Sequence, residues 1–267
     1  MSDNNNQKTN EPLIKVDKVS KSFGDLHVLK DVSITLNAGE TLAVLGKSGV
    51  GKSVLLKLIV GLLEPDSGEI YYEGKPMSKM SEDDLHSMRK QIGFLFQGGA
   101  LFDSMTVGEN LNLVLSKHST LTLEEREKRI SRSLELVGLG DKIDVMPASL
   151  SGGQRKRAGL ARSVVLQPKL ILYDEPTTGL DPITAGSIAE LILSLQRQLG
   201  VASIVVTHDL PTTYTVSDRT VVLEGGKVIF NAPIEQLRND SHEHLKEFLE
   251  AAELNTERRE KIIHTEL

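Results

Sequence analysis

The run Gly46-Lys47-Ser48-Gly49-Val50-Gly51-Lys52-Ser53 constrains this chain more than any other feature. It follows the apolar stretch Leu42-Ala43-Val44-Leu45, which suits a strand buried on both faces of a parallel sheet. It precedes an apolar window that predicts a helix over residues 52–63. The spacing G-x-x-x-x-G-K-S is that of a Walker A loop, whose glycines let successive backbone N–H groups point inward at phosphates. The helix that follows adds its positive N-terminal end. Gly46, Lys47, Ser48, Gly49, Val50 and Gly51 would form the cradle, Lys52 would reach the β- and γ-phosphates, and the Ser53 hydroxyl would ligate Mg²⁺. An accidental Gly/Ser loop would have no reason to sit between a buried strand and a helix.

The composition narrows the class. With 267 residues the chain can bury a sizeable core as one large domain or two small ones. A net charge of -6 leaves no excess of Lys and Arg to cover phosphates, so no nucleic-acid partner is expected. The absence of cysteine excludes disulfides and thiolate metal sites and fits a cytosolic setting. Residues 1–12 read as a polar, Asn-rich disordered tail without an apolar stretch of signal-peptide type. The most apolar window, residues 54–63, carries Lys57 and falls well short of the roughly 20 residues a bilayer span needs. A membrane role therefore has to come through a partner.

Along the chain, residues 13–19 and 28–36 read as strands, the second alternating through Val32, Ile34 and Leu36. A Pro65-Asp66-Ser67-Gly68 turn leads into a strand over residues 70–72. Thr122 with Glu125 forms a capping-box pattern ahead of a charged amphipathic stretch. No strong strand pattern occurs between about residues 100 and 168, so this section reads as a helical subdomain inserted into an α/β core. Leu170-Ile171-Leu172-Tyr173 resumes the core as a strand. Asp181 then caps a helix with Pro182 in its first turn. A buried strand is expected at residues 203–206, and a hairpin at 221–230 turning on Gly225-Gly226. After Asp240 the chain reads as a charged helical extension over residues 241–267, with Leu245, Phe248, Leu249 and Ala252 at helical spacing.

Asp174-Glu175 ends the strand that begins at Leu170. Asp174 is placed to hold Mg²⁺, and Glu175, one residue on, to accept a proton from an attacking water or to orient it. Between the two phosphate-site motifs stands Leu150-Ser151-Gly152-Gly153-Gln154. Read structurally, Ser151 caps a helix and the glycines let backbone amides approach an anion.

With that run in this order, the chain resembles the ATP-binding cassette family, whose signature it is, over roughly residues 13–240. The resemblance implies an α/β P-loop NTPase core with an antiparallel β-subdomain and an inserted helical subdomain. It also implies ATP hydrolysis with Mg²⁺. Phe23 would stack on adenine. Gln97 would contact Mg²⁺ or the attacking water, and His208 would bond the γ-phosphate. Ser151, Gly152, Gly153 and Gln154 would act on nucleotide held by a second copy of the chain, so that hydrolysis requires a dimer. Gly179-Leu180-Asp181 resembles the loop that crosses to that second copy, although Thr178-Gly179 stands where the family usually has Ser-Ala.

One cassette without a long insertion points to a transporter motor rather than a soluble cassette acting on DNA or ribosomes. The stretch Phe96-Gln97-Gly98-Gly99-Ala100-Leu101-Phe102-Asp103-Ser104-Met105-Thr106-Val107 resembles the Mla/Mce-type phospholipid transporters, as do Arg155-Lys156-Arg157 and the run from Tyr173 to Thr184. That implies a peripheral subunit on the cytoplasmic side of a bacterial inner membrane. Its partners would be two permease copies, an MCE-domain lipid-binding protein and a small STAS-domain protein, in the service of outer-membrane lipid asymmetry. The competing expectation is a small-solute importer or a lipoprotein-release system.

Overall fold

The computed structural model describes residues 11–239. At its centre is a sheet in the order β10-β9-β3-β8-β7-β6. Its parallel strands are β6 (Ile92–Leu95), β7 (Leu170–Asp174), β3 (Thr41–Leu45), β8 (Ala202–Thr207) and β9 (Arg219–Glu224). β10 (Lys227–Pro233) returns antiparallel to β9 through Gly225 and Gly226. Every residue of β3 and β8 is buried, as expected for a parallel sheet covered on both faces.

Alternation along the strands divides the core. Leu170, Leu172, Ile204 and Val206 face one side, together with α1 (Lys52–Ile59) and a second sheet. Ile171, Tyr173 and Val205 face the other, under α3 (Val107–His118), α4 (Leu123–Leu136), α5 (Gly152–Val164) and α6 (Pro182–Leu199). The second sheet is antiparallel, ordered β2-β1-β4-β5, with β1 at Ile14–Phe23, β2 at Leu26–Leu36, β4 at Ser67–Tyr72 and β5 at Lys75–Pro76. Arg219 links the two sheets. Its Nε donates to Glu40 Oε1 at 2.6 Å and its Nη2 donates to the Thr35 carbonyl.

Helix ends follow local chemistry. Thr122 and Ser151 both form reciprocal capping boxes, with Glu125 and Gln154 respectively. Asp181 Oδ1 accepts from the Thr184 N–H at 3.0 Å and starts α6 at Pro182. The helix after the Gly-rich loop is shorter than the expected 52–63 and ends at Ile59. The Gly61 N–H bonds to the Leu58 carbonyl at 3.0 Å and the Leu62 N–H to the Lys57 carbonyl at 2.8 Å. Those bonds, with Gly61 at φ 69, make a Schellman ending, which hydrophobic content alone does not reveal. Among the described residues no strand lies between Leu95 and Leu170, and α3, α4 and α5 fill that interval. Two further helices, α2 (Glu82–Lys90) and α7 (Leu210–Val216), flank β6 and β8. The expected helix over residues 241–267 and most of the expected tail lie outside the described residues.

Candidate active site

The functional motifs follow the carboxyl ends of neighbouring parallel strands, where open α/β sheets place their ligand crevices. Gly46 follows β3, Glu175 follows β7, His208 follows β8, and Gln97 lies just beyond β6. Register keeps these ends level, because Leu45 pairs with Thr207, Asp174 with Val206 and Leu95 with Tyr173. A cavity of about 450 Å³ results, lined by Phe23, Val28, Ser48, Gly49, Gly51, Lys52, Ser53, Val54, Gln97, Glu175, Thr178 and His208.

The loop from Gly46 to Gly51 is fixed by close approach and by glycine geometry. A Cβ on Gly46 would lie 2.7 Å from the Leu223 carbonyl oxygen, and Gly51 sits at φ 111, which L side chains rarely adopt. Lys52 is buried, and its Nζ donates to the carbonyls of Gly46 at 2.6 Å and Lys47 at 3.2 Å. The same ammonium lies 3.2 Å from Glu175 Oε1. The other carboxylate oxygen of Glu175, Oε2, is 2.9 Å from His208 Nδ1 and accepts from Thr178 Oγ1 at 2.9 Å.

These contacts separate the two adjacent carboxyls. Burial pushes Glu175 upward, but the His208 hydrogen bond and the Lys52 charge together outweigh it and hold Glu175 below the usual carboxylate range. Asp174 goes the other way. Burial raises it, and the hydrogen bond from Ser53 Oγ at 2.8 Å only partly offsets that rise. His208 is raised by its bond to Glu175, against the effect of burial.

Mg²⁺ fits Ser53 and Asp174. A hydroxyl and a carboxylate oxygen are hard donors already within 2.8 Å of one another, and a cation beside Asp174 would relieve the cost of ionising it there. Among the described residues no group of three or more His, Cys, Asp or Glu could hold a metal without help.

Phe23 ends β1 half-exposed on the same cavity, its ring 5.7 Å from Lys21 Nζ. The structure thus brings the loop, Phe23, Gln97, Glu175 and His208 together. It does not bring Ser151, Gly152, Gly153 or Gln154 to the cavity they line. These four residues begin α5, and Ser151 and Gly152 are exposed. Two site residues escaped the reading from sequence. Thr178 became visible only through its bond to Glu175, and Lys156 through its burial, described below.

The family model described as ABC transporter matches residues 29–178. The chain belongs to the ATP-binding cassette transporter family. As such a cassette it binds ATP with Mg²⁺ and hydrolyses it. The cassette is 37% identical over 238 residues to the intermembrane phospholipid transport system ATP-binding protein MlaF of Escherichia coli, covering 89% of this chain and 88% of MlaF. It is 41% identical over 219 residues to the methionine import ATP-binding protein MetN of Rhizobium johnstonii, covering 82% of this chain but 60% of that MetN. In structure it resembles cbiO1 from Clostridium perfringens, part of the transporter complex cbiONQ. The TM-score is 0.80 at 30% identity over 95% of this chain and 99% of cbiO1. A dimeric post-hydrolysis cassette bound to ADP and Pi superposes with a TM-score of 0.75 at 32% identity, covering 83% of this chain and 98% of that one.

The His208–Glu175 pair makes the stability of the nucleotide-free cassette depend on pH in a defined direction. His208 is raised above its ordinary 6.5, so its share is complete below pH 6.5 and is lost as pH rises through the raised value. Glu175 is held below its ordinary 4.5, so its share is complete above pH 4.5 and is lost as pH falls through the lowered value. Thermal unfolding across pH, compared with His208→Gln, checks this. The advantage of the wild type is expected to be largest between these values and to shrink above pH 6.5. A difference that stays constant as pH rises well above 6.5 would show that the pair does not titrate with folding.

Proposed function

We propose that this cassette is the motor of a bacterial transporter that moves phospholipid between membranes, and that it works as a dimer beneath two permease subunits on the cytoplasmic side of the inner membrane. The observation that carries the substrate class is the match to MlaF, which runs through nearly the whole of both chains. The run from Phe96 to Val107 adds to it through its resemblance to the Mla/Mce-type transporters. An MCE-domain lipid-binding protein and a small STAS-domain protein complete the proposed assembly, whose task is outer-membrane lipid asymmetry. Among the described residues no helix is long and apolar enough to cross a membrane, so contact with the bilayer falls to the permeases. Small-solute import is the second reading, favoured by the higher identity to MetN over a shorter share of that protein.

In the proposed mechanism, the backbone amides of the loop from Gly46 to Gly51 cradle the phosphates and Lys52 neutralises their charge. Phe23 offers its exposed ring to the base. Ser53 and Asp174 would hold Mg²⁺, which when bound would supply positive charge to neutralise that developing in the transition state. Gln97, on the cavity wall just beyond β6, would contact the metal or the attacking water. Glu175 takes the proton of that water, and its depressed pKa keeps it free to do so. His208 holds Glu175 from one side and would donate to the γ-phosphate. The Ser151–Gln154 capping box occupies the N–H groups of those two residues, and the first-turn N–H groups of Gly152 and Gly153 would meet the nucleotide of the partner cassette.

Two measurements test this reading. Glu175→Gln is expected to keep ATP affinity while lowering turnover by at least about 100-fold, because an amide accepts no proton. Lys52→Ala is expected instead to weaken ATP binding about tenfold or more through the lost charged contact. Near-normal turnover of Glu175→Gln would remove Glu175 from the role of base. For the substrate, purification with the natural membrane partners followed by lipid mass spectrometry is expected to yield bound phospholipid. A lipid-free complex whose turnover responds to a small solute would favour import.

A further inference from the structure

Six non-glycine residues among those described have a positive φ, and Ala100 and Glu175, both at φ 49, stand directly behind site motifs. A side chain in that left-handed region is strained, and surrounding contacts have to hold it there. In both cases the carbonyl accepts from a cation of α5. Arg162 Nη1 donates to the Ala100 carbonyl. Lys156 Nζ donates to the Glu175 carbonyl at 3.3 Å and also to the Gln97 carbonyl.

Between these cations α5 carries Gly159, where an added Cβ would lie 3.0 Å from the Gly99 oxygen and 3.3 Å from the Gly99 Cα. Positions 156, 159 and 162 share one face of a helix. That face grips residues 97–100 along their length, and at Lys156 it reaches across to the end of β7. The Glu175 main chain is thereby held from two directions, since its N–H donates to the Val206 carbonyl at 3.0 Å.

Lys156 is 6% exposed. Burying an ammonium is costly unless acceptors replace its water, and main-chain carbonyls do so here. Among the described residues no salt bridge engages it, and the carboxylates of Glu175 and Asp174 act on it only through space. A lysine serving merely to fill a core would need none of this polar matching.

We infer that Lys156 is a positioning residue for hydrolysis. It locks the strained Glu175 backbone and the Gln97 backbone to a single atom of the signature helix, so that the base and the glutamine loop keep a fixed relation to the start of α5. Any shift of α5 is then transmitted to the carboxylate of the same subunit. The inference rests on the roles given above to Glu175 and Gln97.

Lys156→Met in the full-length protein keeps the apolar stem and removes the donors. With saturating Mg²⁺ and ATP, at a protein concentration that supports self-association, its kcat is expected to fall about 10- to 100-fold, as for a misplaced catalytic group. KM and equilibrium ATP binding are expected to stay within about twofold, since the loss concerns the transition state. Melting should remain cooperative, and Lys156→Arg, which restores charge and donors, should turn over faster than Lys156→Met. Wild-type kcat in the Met variant would overturn the inference. So would a loss matched by an equal loss of ATP affinity, or an Arg variant that folds and is no better than Met. Should Lys156→Met fail to fold, the same split of kcat against KM is read from Lys156→Gln. Glu175→Gln assayed beside them separates the failures. If it is inactive while Lys156→Met is normal, only the role of Lys156 falls. If it turns over normally, the reading of the base falls.

Discussion

As the proposed base, Glu175 has to keep a negative charge at a position where its side chain is only 12% exposed. Burial there works against ionisation and on its own raises the carboxyl. Lys52, His208 and Thr178 reverse that outcome by contacting both of its oxygens. Each of these partners is in turn fixed by something else. Lys52 is held by loop carbonyls and His208 by the end of β8, while Thr178 sits in the turn that carries Glu175 itself. Asp174, one residue away, receives only the Ser53 hydroxyl and is displaced in the opposite direction. Two neighbouring carboxyls pushed apart in this way can divide the work, one as ion ligand and one as base.

The sheet makes this arrangement possible. Because β3, β8, β7 and β6 are parallel and adjacent in that order, four chain segments far apart in sequence emerge at one edge. Burial of the strands on both faces sets their register, and a slip of one residue would exchange the faces packed under α1 and under α5. The site therefore draws its precision from apolar packing in strands that touch no ligand. The antiparallel sheet adds Phe23 from the side, and Arg219 ties that sheet to β9 through the Thr35 carbonyl.

Much of this was legible in the sequence because the chemistry there depends on local pattern. A glycine-rich turn between an apolar run and a helix leaves little choice of structure, and Asp174-Glu175 and His208 each follow a run that can only be a buried strand. Caps at Thr122, Ser151 and Asp181 are equally local. What escaped is whatever depends on a distant backbone. Lys156 looks like one more exposed cation in Arg155-Lys156-Arg157, and only the docking of α5 against Gly99 and Glu175 buries it. Nor does composition announce the early end of α1, since Leu62 and Leu63 would suit a longer helix and the hydrogen bonds around Gly61 decide otherwise. The four-residue β6 is too short to show a period, although it delivers Gln97.

A single chain presents the phosphate loop and the base on one cavity and the signature helix start elsewhere. In the proposed dimer these are halves of two shared sites, completed only when ATP lies between two copies. Light scattering on Glu175→Gln, with and without Mg²⁺ and ATP, tests it directly. A monomer is expected without nucleotide and a doubled mass with it, reversed when Ser151 is replaced by a bulky residue. A protein that stays monomeric at saturating ATP while the wild-type chain hydrolyses at full rate would contradict it.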